Sequence, residues 1–262
     1  YFVSVKRKMI LCVVAALLFV LCSIFGHSSN FAFWQNDLVY EGESVYNYLQ
    51  VSENDRSVVL STNVLFGVQS IYMKDQAMTG MYYDYALAAP VLAGYDEKEE
   101  MDILVLGMGS GTYATMCERF FPNARVEGVE IDEKITDLAR EYFELPENVQ
   151  VTTYDGRAYL QGVDKKSDVI MVDAYQDITI PFQMSSQEFF REVTNHLTPN
   201  GVMVVNMNMH TQEKGDINEY LTDTICSIFP HAYTVDVMGS TNRELFAFAN
   251  SQALDYLQST QV

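Results

Sequence analysis

The chain has 262 residues, enough to bury one sizeable core and carry a small appended piece. Its formal charge of −19 argues against a nucleic-acid or anionic-lipid surface, since neither tolerates a protein of its own sign, and would suit a cationic substrate. Cys12 and Cys22 share one apolar run, while Cys117 and Cys226 stand far apart; they make no disulfide framework, and without a CxxC or Cys/His cluster no metal is called for.

In chain order the first feature is Met9–Gly26, free of charge over 18 positions. As a helix it measures about 27 Å, enough to cross a hydrocarbon core. Lys6, Arg7 and Lys8 stand just before it. The run is long for a cleaved signal peptide and lacks a small-x-small exit, and Leu21 is bulky where a lipoprotein site at Cys22 calls for a small residue. A membrane anchor through residues 9–26 is the expectation. The basic flank puts the globular part outside, whereas a nucleoside ligand puts it in the cytoplasm, so the side stays open. Opening on Tyr1 rather than Met fits the tail of a longer protein with further spans upstream.

His27–Asp37 reads as a polar linker, and the alternating segments Ser44–Val51, Val58–Ser61 and Gly67–Met73 predict a small antiparallel β unit. Helical character over Tyr82–Ala93 leads through the acidic turn Asp96–Glu100 into a regular alternation. Strands are expected near 102–107, 125–130, 149–153, 168–173 and 201–206, with helices near 112–121, 133–143, 156–161 and 186–197. Asn200-Gly201 reads as the turn before the fifth strand; a helix near 216–228 and strands Ala232–Val237 and Leu245–Ala249 close the chain. This is the pattern of an α/β fold whose mostly parallel sheet is covered on both faces. The expected division is an anchor with its basic flank over 1–29, a linker and β unit over 30–78, and a Rossmann-like nucleoside-binding domain over 79–262.

The stretch Ile103–Asp132 organises the rest. An apolar strand meets a glycine turn (Gly107, Gly109, Gly111), a helix follows, and a second strand ends on Glu130 and Asp132. Glycines let a backbone approach a ligand closely, and a carboxylate about 20 residues on can accept both hydroxyls of a ribose. Asp155-Gly156 and Asp173 end two later strands. Asp155 can accept from an adenine amino group, or simply cap the next helix. Asp173 opens the loop DAYQDITIP, in which Tyr175, Asp177 and Pro181 suggest a lid.

From about Ser44 to Ala249 the sequence resembles the polyamine aminopropyltransferases, specifically their membrane-anchored bacterial relatives. The resemblance runs through GVQS at 67–70, YYDY at 82–85 in place of the family's Tyr-x-Glu, the glycine turn, VEID at 129–132, YDGR at 154–157, VDAYQD at 172–177, SQEFF at 186–190 and LTPNGVMVVN at 197–206. It implies a class I methyltransferase-type sheet and transfer of an aminopropyl group from decarboxylated S-adenosylmethionine to a small cationic amine. In that scheme the glycine turn with Ser110, Glu130 for the ribose, Asp155 and Gly156 for the adenine, and Gln69 bind the donor. Tyr82, Tyr175, Gln176 and Asp177 face the amine, and Asp173 is the general base. A homodimer through the β unit follows by the same analogy.

Three positions depart from the family pattern. Ser110 replaces the Asp of GGGDGG, Ala88 stands where a His is common, and Gln176 with Asp177 replaces the end of DSSDP. The GMGSG turn is nearer that of S-adenosylmethionine-dependent methyltransferases, which share the fold. A methyltransferase using the carboxylated donor is therefore the second reading, and a non-catalytic tethered module that binds a nucleoside or polyamine the third.

Overall fold

The computed structural model describes residues 2–26, 31–32, 34–63, 67–174, 181–208 and 215–259. Helix α1, Phe2–Phe25, is continuous. Within it Val5–Ile24 is long and apolar enough to cross a membrane, and none of that stretch is buried against the rest of the molecule.

Four strands follow, β1 (Leu38–Glu43), β2 (Tyr48–Glu53), β3 (Ser57–Thr62) and β4 (Ser70–Met73), paired antiparallel in that order. Sequence alternation pointed to three strands here. β1 escapes it because it is an edge strand, half-exposed along its length, with no clean period of two. The buried face of this sheet (Leu49, Val51, Val58, Leu60) packs on Ile135, Leu138 and Phe143 in and just beyond α5, Glu133–Tyr142. Asp132 fixes that docking. One carboxylate oxygen caps α5 at the Lys134 N–H (3.1 Å), and the other accepts from Ser44 Oγ at 2.5 Å and Asn47 Nδ2 at 2.9 Å.

The second sheet has seven strands: β5 (Met101–Leu106), β6 (Ala124–Glu130), β7 (Gln150–Thr153), β8 (Ser167–Val172), β9 (Leu197–Met207), β10 (His231–Asp236) and β11 (Arg243–Phe248). Their order is β10-β11-β9-β8-β5-β6-β7. The pairs from β9 to β7 are parallel, while β11 runs antiparallel to both of its neighbours. Alternation along the strands divides the core into two layers. Ile103, Val105, Val169, Met171, Val202, Val204, Phe246 and Phe248 face α4 (Thr112–Phe120) and the helical segment before β5. Leu104, Leu106, Ile170, Val172, Met203, Val205 and Leu245 face α6 (Gly156–Gly162), α7 (Gln187–His196) and α8 (Ile217–Cys226).

Two expected elements take a different form. The helix over Tyr82–Ala93 is split into α2 (Tyr82–Ala86) and α3 (Ala88–Leu92). Pro90 has no N–H to give the Ala86 carbonyl four residues earlier, and the Tyr113 hydroxyl donates to that carbonyl instead, at 3.2 Å. Asn200-Gly201 is no turn before the fifth strand, because β9 already begins at Leu197. The pair Ser167–Leu197 is followed directly by Val169–Val202, so the extra residues bulge out of the ladder. A Cβ on Gly201 would lie 3.0 Å from the Leu197 side chain, which is why a glycine serves there. A last helix, α9 (Ala253–Ser259), tucks Ala253 under the first layer.

Candidate functional site

Because β5 is flanked by β6 on one side and β8 on the other, the chain leaves it in opposite directions, and the carboxyl ends of the strands open a crevice. A cavity of about 340 Å³ fills it. Gly107–Gly109, Val129–Ile131, Tyr154–Gly156 and Asp173-Ala174 form its floor. Tyr46, Asn47, Thr62, Gln69 and Ser70 come from the small sheet, and Pro181, Gln183 and Met184 from the far rim.

The glycine turn is built for close approach. Gly107 has φ +82, and a Cβ there would lie 2.6 Å from the Asp173 carbonyl oxygen, so the ends of β5 and β8 meet only across a glycine. The Gly109 N–H donates to Glu130 Oε2 at 2.8 Å. Gly111 and Ser110 sit beside the cavity rather than in its lining. Gly111 is the N-cap of α4 at φ +83, pressed against Leu145. Ser110 is buried, its N–H directed to Ser70 Oγ (3.3 Å) and its hydroxyl 3.5 Å from that of Thr112. Ser70, from β4, lines the cavity where Ser110 does not.

Glu130 is buried at the end of β6. Its two oxygens accept from the N–H groups of Gly109 (2.8 Å) and Asp132 (3.0 Å). Burial pushes its carboxyl above the ordinary value, and those amides pull it partly back. Each oxygen keeps a lone pair for a ligand hydroxyl. Asp155 lines the cavity and also caps α6, accepting from the Ala158 N–H at 2.8 Å. One carboxylate does both because only Oδ1 serves the cap. Gly156 lines the cavity too, where a Cβ would stand 3.3 Å from Met184 Cε. Gln69 lines it from just before β4, and its carbonyl accepts from the Tyr83 hydroxyl at 3.1 Å.

Asp173, immediately past β8, lies at the cavity wall with two side-chain donors. The Tyr82 hydroxyl reaches Oδ2 at 2.6 Å and Asn206 Nδ2 reaches Oδ1 at 2.9 Å. Burial lifts its carboxyl to about 7; both donors oppose the lift, and the Glu130 charge adds to it. Tyr82 itself is buried and touches Asp173 without lining the cavity. Burial, reinforced by the Asp173 charge, keeps its phenol protonated.

Tyr83, Tyr154, Ser70 and Asn206 join the site without having been singled out in the sequence. Tyr83 was legible only as the second half of a Tyr-Tyr pair, its ring centroid 4.0 Å from that of Tyr82. Asn206 carried no signal at all, because it looks like the end of one more apolar strand. Asp84, at the acidic place of the YYDY motif, is taken up locally: its oxygens accept from the N–H groups of Thr79 (2.9 Å) and Gly80 (2.7 Å). Tyr175, Gln176 and Asp177 lie outside the described residues.

The strand order, the glycine turn after the first parallel strand and the crevice beside it define a Rossmann-like α/β protein of the class I methyltransferase type. The chain belongs to the spermine/spermidine synthase family: the model described as "Spermine/spermidine synthase domain" matches residues 86–247. A probable polyamine aminopropyl transferase from Bifidobacterium longum is 59% identical over 249 residues, covering 94% of this chain. The chain spans 55% of that relative's length. Among solved structures, a probable spermidine synthase from Corynebacterium glutamicum superimposes with a TM-score of 0.70 at 21% identity, over 85% of this chain and 88% of that one. Human methyltransferase-like protein 13, solved in complex with SAH, gives 0.61 at 24% identity, over 68% of this chain and 88% of that one. These two likenesses bear on the fold.

Proposed function

We propose that the chain is an aminopropyltransferase that moves an aminopropyl group from decarboxylated S-adenosylmethionine to an amine nitrogen of a polyamine. The observation that carries this reading is the charge of the cavity wall. Glu130, Asp155 and Asp173 line it, and no Lys, Arg or His does so among the described residues. A donor carboxylate would find no countercharge in such a wall. A sulfonium with an ammonium tail, and a cationic acceptor, are both favoured by it.

In this reading Glu130 holds the ribose, Asp155 the adenine amino group, and Gln69 with the Gly107–Gly109 turn the rest of the donor. The acceptor arrives as an ammonium whose pKa is near that of lysine, roughly 10. Asp173 takes one of its protons, which an ordinary carboxylate does poorly and one lifted to about 7 does better. The freed nitrogen lone pair attacks the carbon next to sulfur. The C–N bond forms as the C–S bond breaks, the bonding pair returns to sulfur, and methylthioadenosine leaves. Tyr82 and Asn206 hold the Asp173 carboxylate in line through both oxygens. Helix α1 serves as a membrane anchor, and residues 79–262 form the catalytic part.

The methyltransferase reading keeps one specific support. The glycine turn carries Ser110 rather than an acid. The test is a product assay on the full chain in detergent, with each donor supplied in turn beside a short diamine. Methylthioadenosine and a lengthened polyamine are expected from the decarboxylated donor. S-adenosylhomocysteine from the carboxylated donor alone would replace this reading with the methyltransferase one. A bound nucleoside with no product from either donor would leave a non-catalytic module.

A further inference from the structure

Between the apolar helix α1 and the small sheet stands the chain's one tryptophan, Trp34. Its ring meets that of Phe31 edge to face, with centroids 5.6 Å apart and planes at 73°. Both rings face outward: Phe31 is 70% exposed and Trp34 47%. The backbone beneath them is tied to the small sheet. Ala32 is fully buried, and its N–H donates to both oxygens of Glu41 in β1, at 3.1 and 3.2 Å. Glu41 also accepts from the Tyr48 hydroxyl of β2, and the Gln35 N–H donates to the Ala32 carbonyl at 2.9 Å. The sheet thus presents the aromatic pair on a hydrogen-bonded mount.

Length, tether and charge identify what covers the pair. Val5–Ile24 makes about 30 Å of apolar helix, the thickness of a hydrocarbon core, so α1 ends where headgroups begin. Phe31 stands six residues after Phe25, the last residue of α1, and six residues reach at most about 20 Å by any path. The pair is therefore tethered within reach of the interfacial layer, where a ring with an apolar face and a polar edge is best placed. Charge excludes a cationic seat. From residue 9 to residue 55 the sequence holds no Lys or Arg, and it holds Asp37, Glu41, Glu43, Glu53 and Asp55.

We propose that Phe31 and Trp34 form a membrane seat: the pair enters the headgroup layer of the leaflet from which α1 emerges and holds the small sheet against the bilayer. The inference rests on the reading of α1 as a membrane anchor and is independent of the transfer chemistry. Two rings bind a bilayer weakly by themselves, but an inserted α1 keeps them beside it at high effective concentration. Tyr46, Asn47 and Thr62, from the same small sheet, line the cavity, so seating the sheet sets the height of the crevice above the membrane.

The test uses the full chain in phosphatidylcholine vesicles, where Trp34, as the only tryptophan, reports its own surroundings by fluorescence. Flotation of the vesicles after an alkaline wash establishes the anchor first. Quenching by phosphatidylcholine brominated at two depths along its acyl chains should place Trp34 roughly 15–20 Å from the bilayer centre, with little access for acrylamide in the water. Phe31→Ser, at an exposed position, should keep the melting temperature and lower the ratio of seated to unseated Trp34 roughly tenfold. A chain that floats while acrylamide reaches Trp34 and bromine does not overturns the seat and leaves the anchor standing. A chain that does not float removes the anchor and the seat with it. A Trp34 shielded from both quenchers is covered by protein, which overturns the membrane as partner. A Phe31→Ser variant whose Trp34 stays as deep as the native one overturns the seat too, since the tether alone would then place the ring.

Discussion

On the β6–β7 side of the crevice, Glu130 takes backbone N–H groups on both oxygens and Asp155 takes the first turn of α6. On the β8–β9–β11 side, Asp173 takes only side-chain donors and Glu244 takes none. Backbone donors cannot turn away without moving the chain, so they fix a carboxylate in place and favour its charged form. Side-chain donors can swing, and burial keeps an undonated carboxyl protonated. The first half is suited to holding a ligand's shape, the second to exchanging protons with one.

The largest effect that tests this contrast is on turnover. Asp173→Asn keeps the size of the side chain and removes the proposed base, and is expected to lower turnover by roughly 10²–10⁴-fold. Nucleoside affinity, read by calorimetry with methylthioadenosine, should hold. Unchanged turnover would remove Asp173 from the chemistry and merge the two halves into one binding surface.

Glu130→Gln strikes the other half. A carboxamide cannot accept from Gly109 and Asp132 at once without turning its own NH₂ toward one of those donors. Nucleoside affinity should fall roughly tenfold to hundredfold, with turnover at saturating donor largely kept. A variant that binds normally but turns over slowly would reverse the assignment.

The pH profile sharpens the contrast further. The base must be ionised to act, so kcat/KM should rise with pH through a limb near 7. The Tyr82 hydroxyl favours the ionised carboxylate, so Tyr82→Phe should move that limb to higher pH; a move to lower pH would break the argument. The same raised carboxyl bears on stability, with the sign opposite to that of a salt-bridged acid. The unfolded chain ionises Asp173 at about 4 and the folded one at about 7, so its ionisation works against folding as pH climbs between them. Thermal melts of native protein and Asp173→Asn should therefore draw apart across that window, with the variant the more stable above it.

Much of this was legible in the chain itself. Gly107, Glu130, Asp155 and Asp173 stand at strand ends because apolar strands announce themselves and polar residues at their tips stand out. What sequence conceals is whatever depends on which strands become neighbours. Asn206 and Glu244 are separated by 38 residues of chain and meet only because β11 inserts beside β9. Tyr83 lines the cavity while Tyr82, its neighbour at the start of α2, does not. Ser110 shows the converse. The motif position was plain, but its side chain lies toward Thr112, and Ser70 from β4 is the serine at the wall.

The smallest predicted effect separates two roles carried by one residue. Asp155 caps α6 through Oδ1 and is assigned the adenine through its other oxygen. Asn is as good a cap as Asp, so Asp155→Asn should leave the melting temperature unchanged. It replaces the second acceptor with an NH₂ that meets the adenine amino group donor to donor, and nucleoside affinity should fall by several-fold to about tenfold. Asp155→Ala removes both roles, adding a loss of about 1 kcal/mol in stability to the same loss of affinity. If the two variants bind the nucleoside as well as the native chain and differ only in melting, Asp155 is a helix cap alone, and the adenine must be read by Tyr154, Gln183 or another group on that wall.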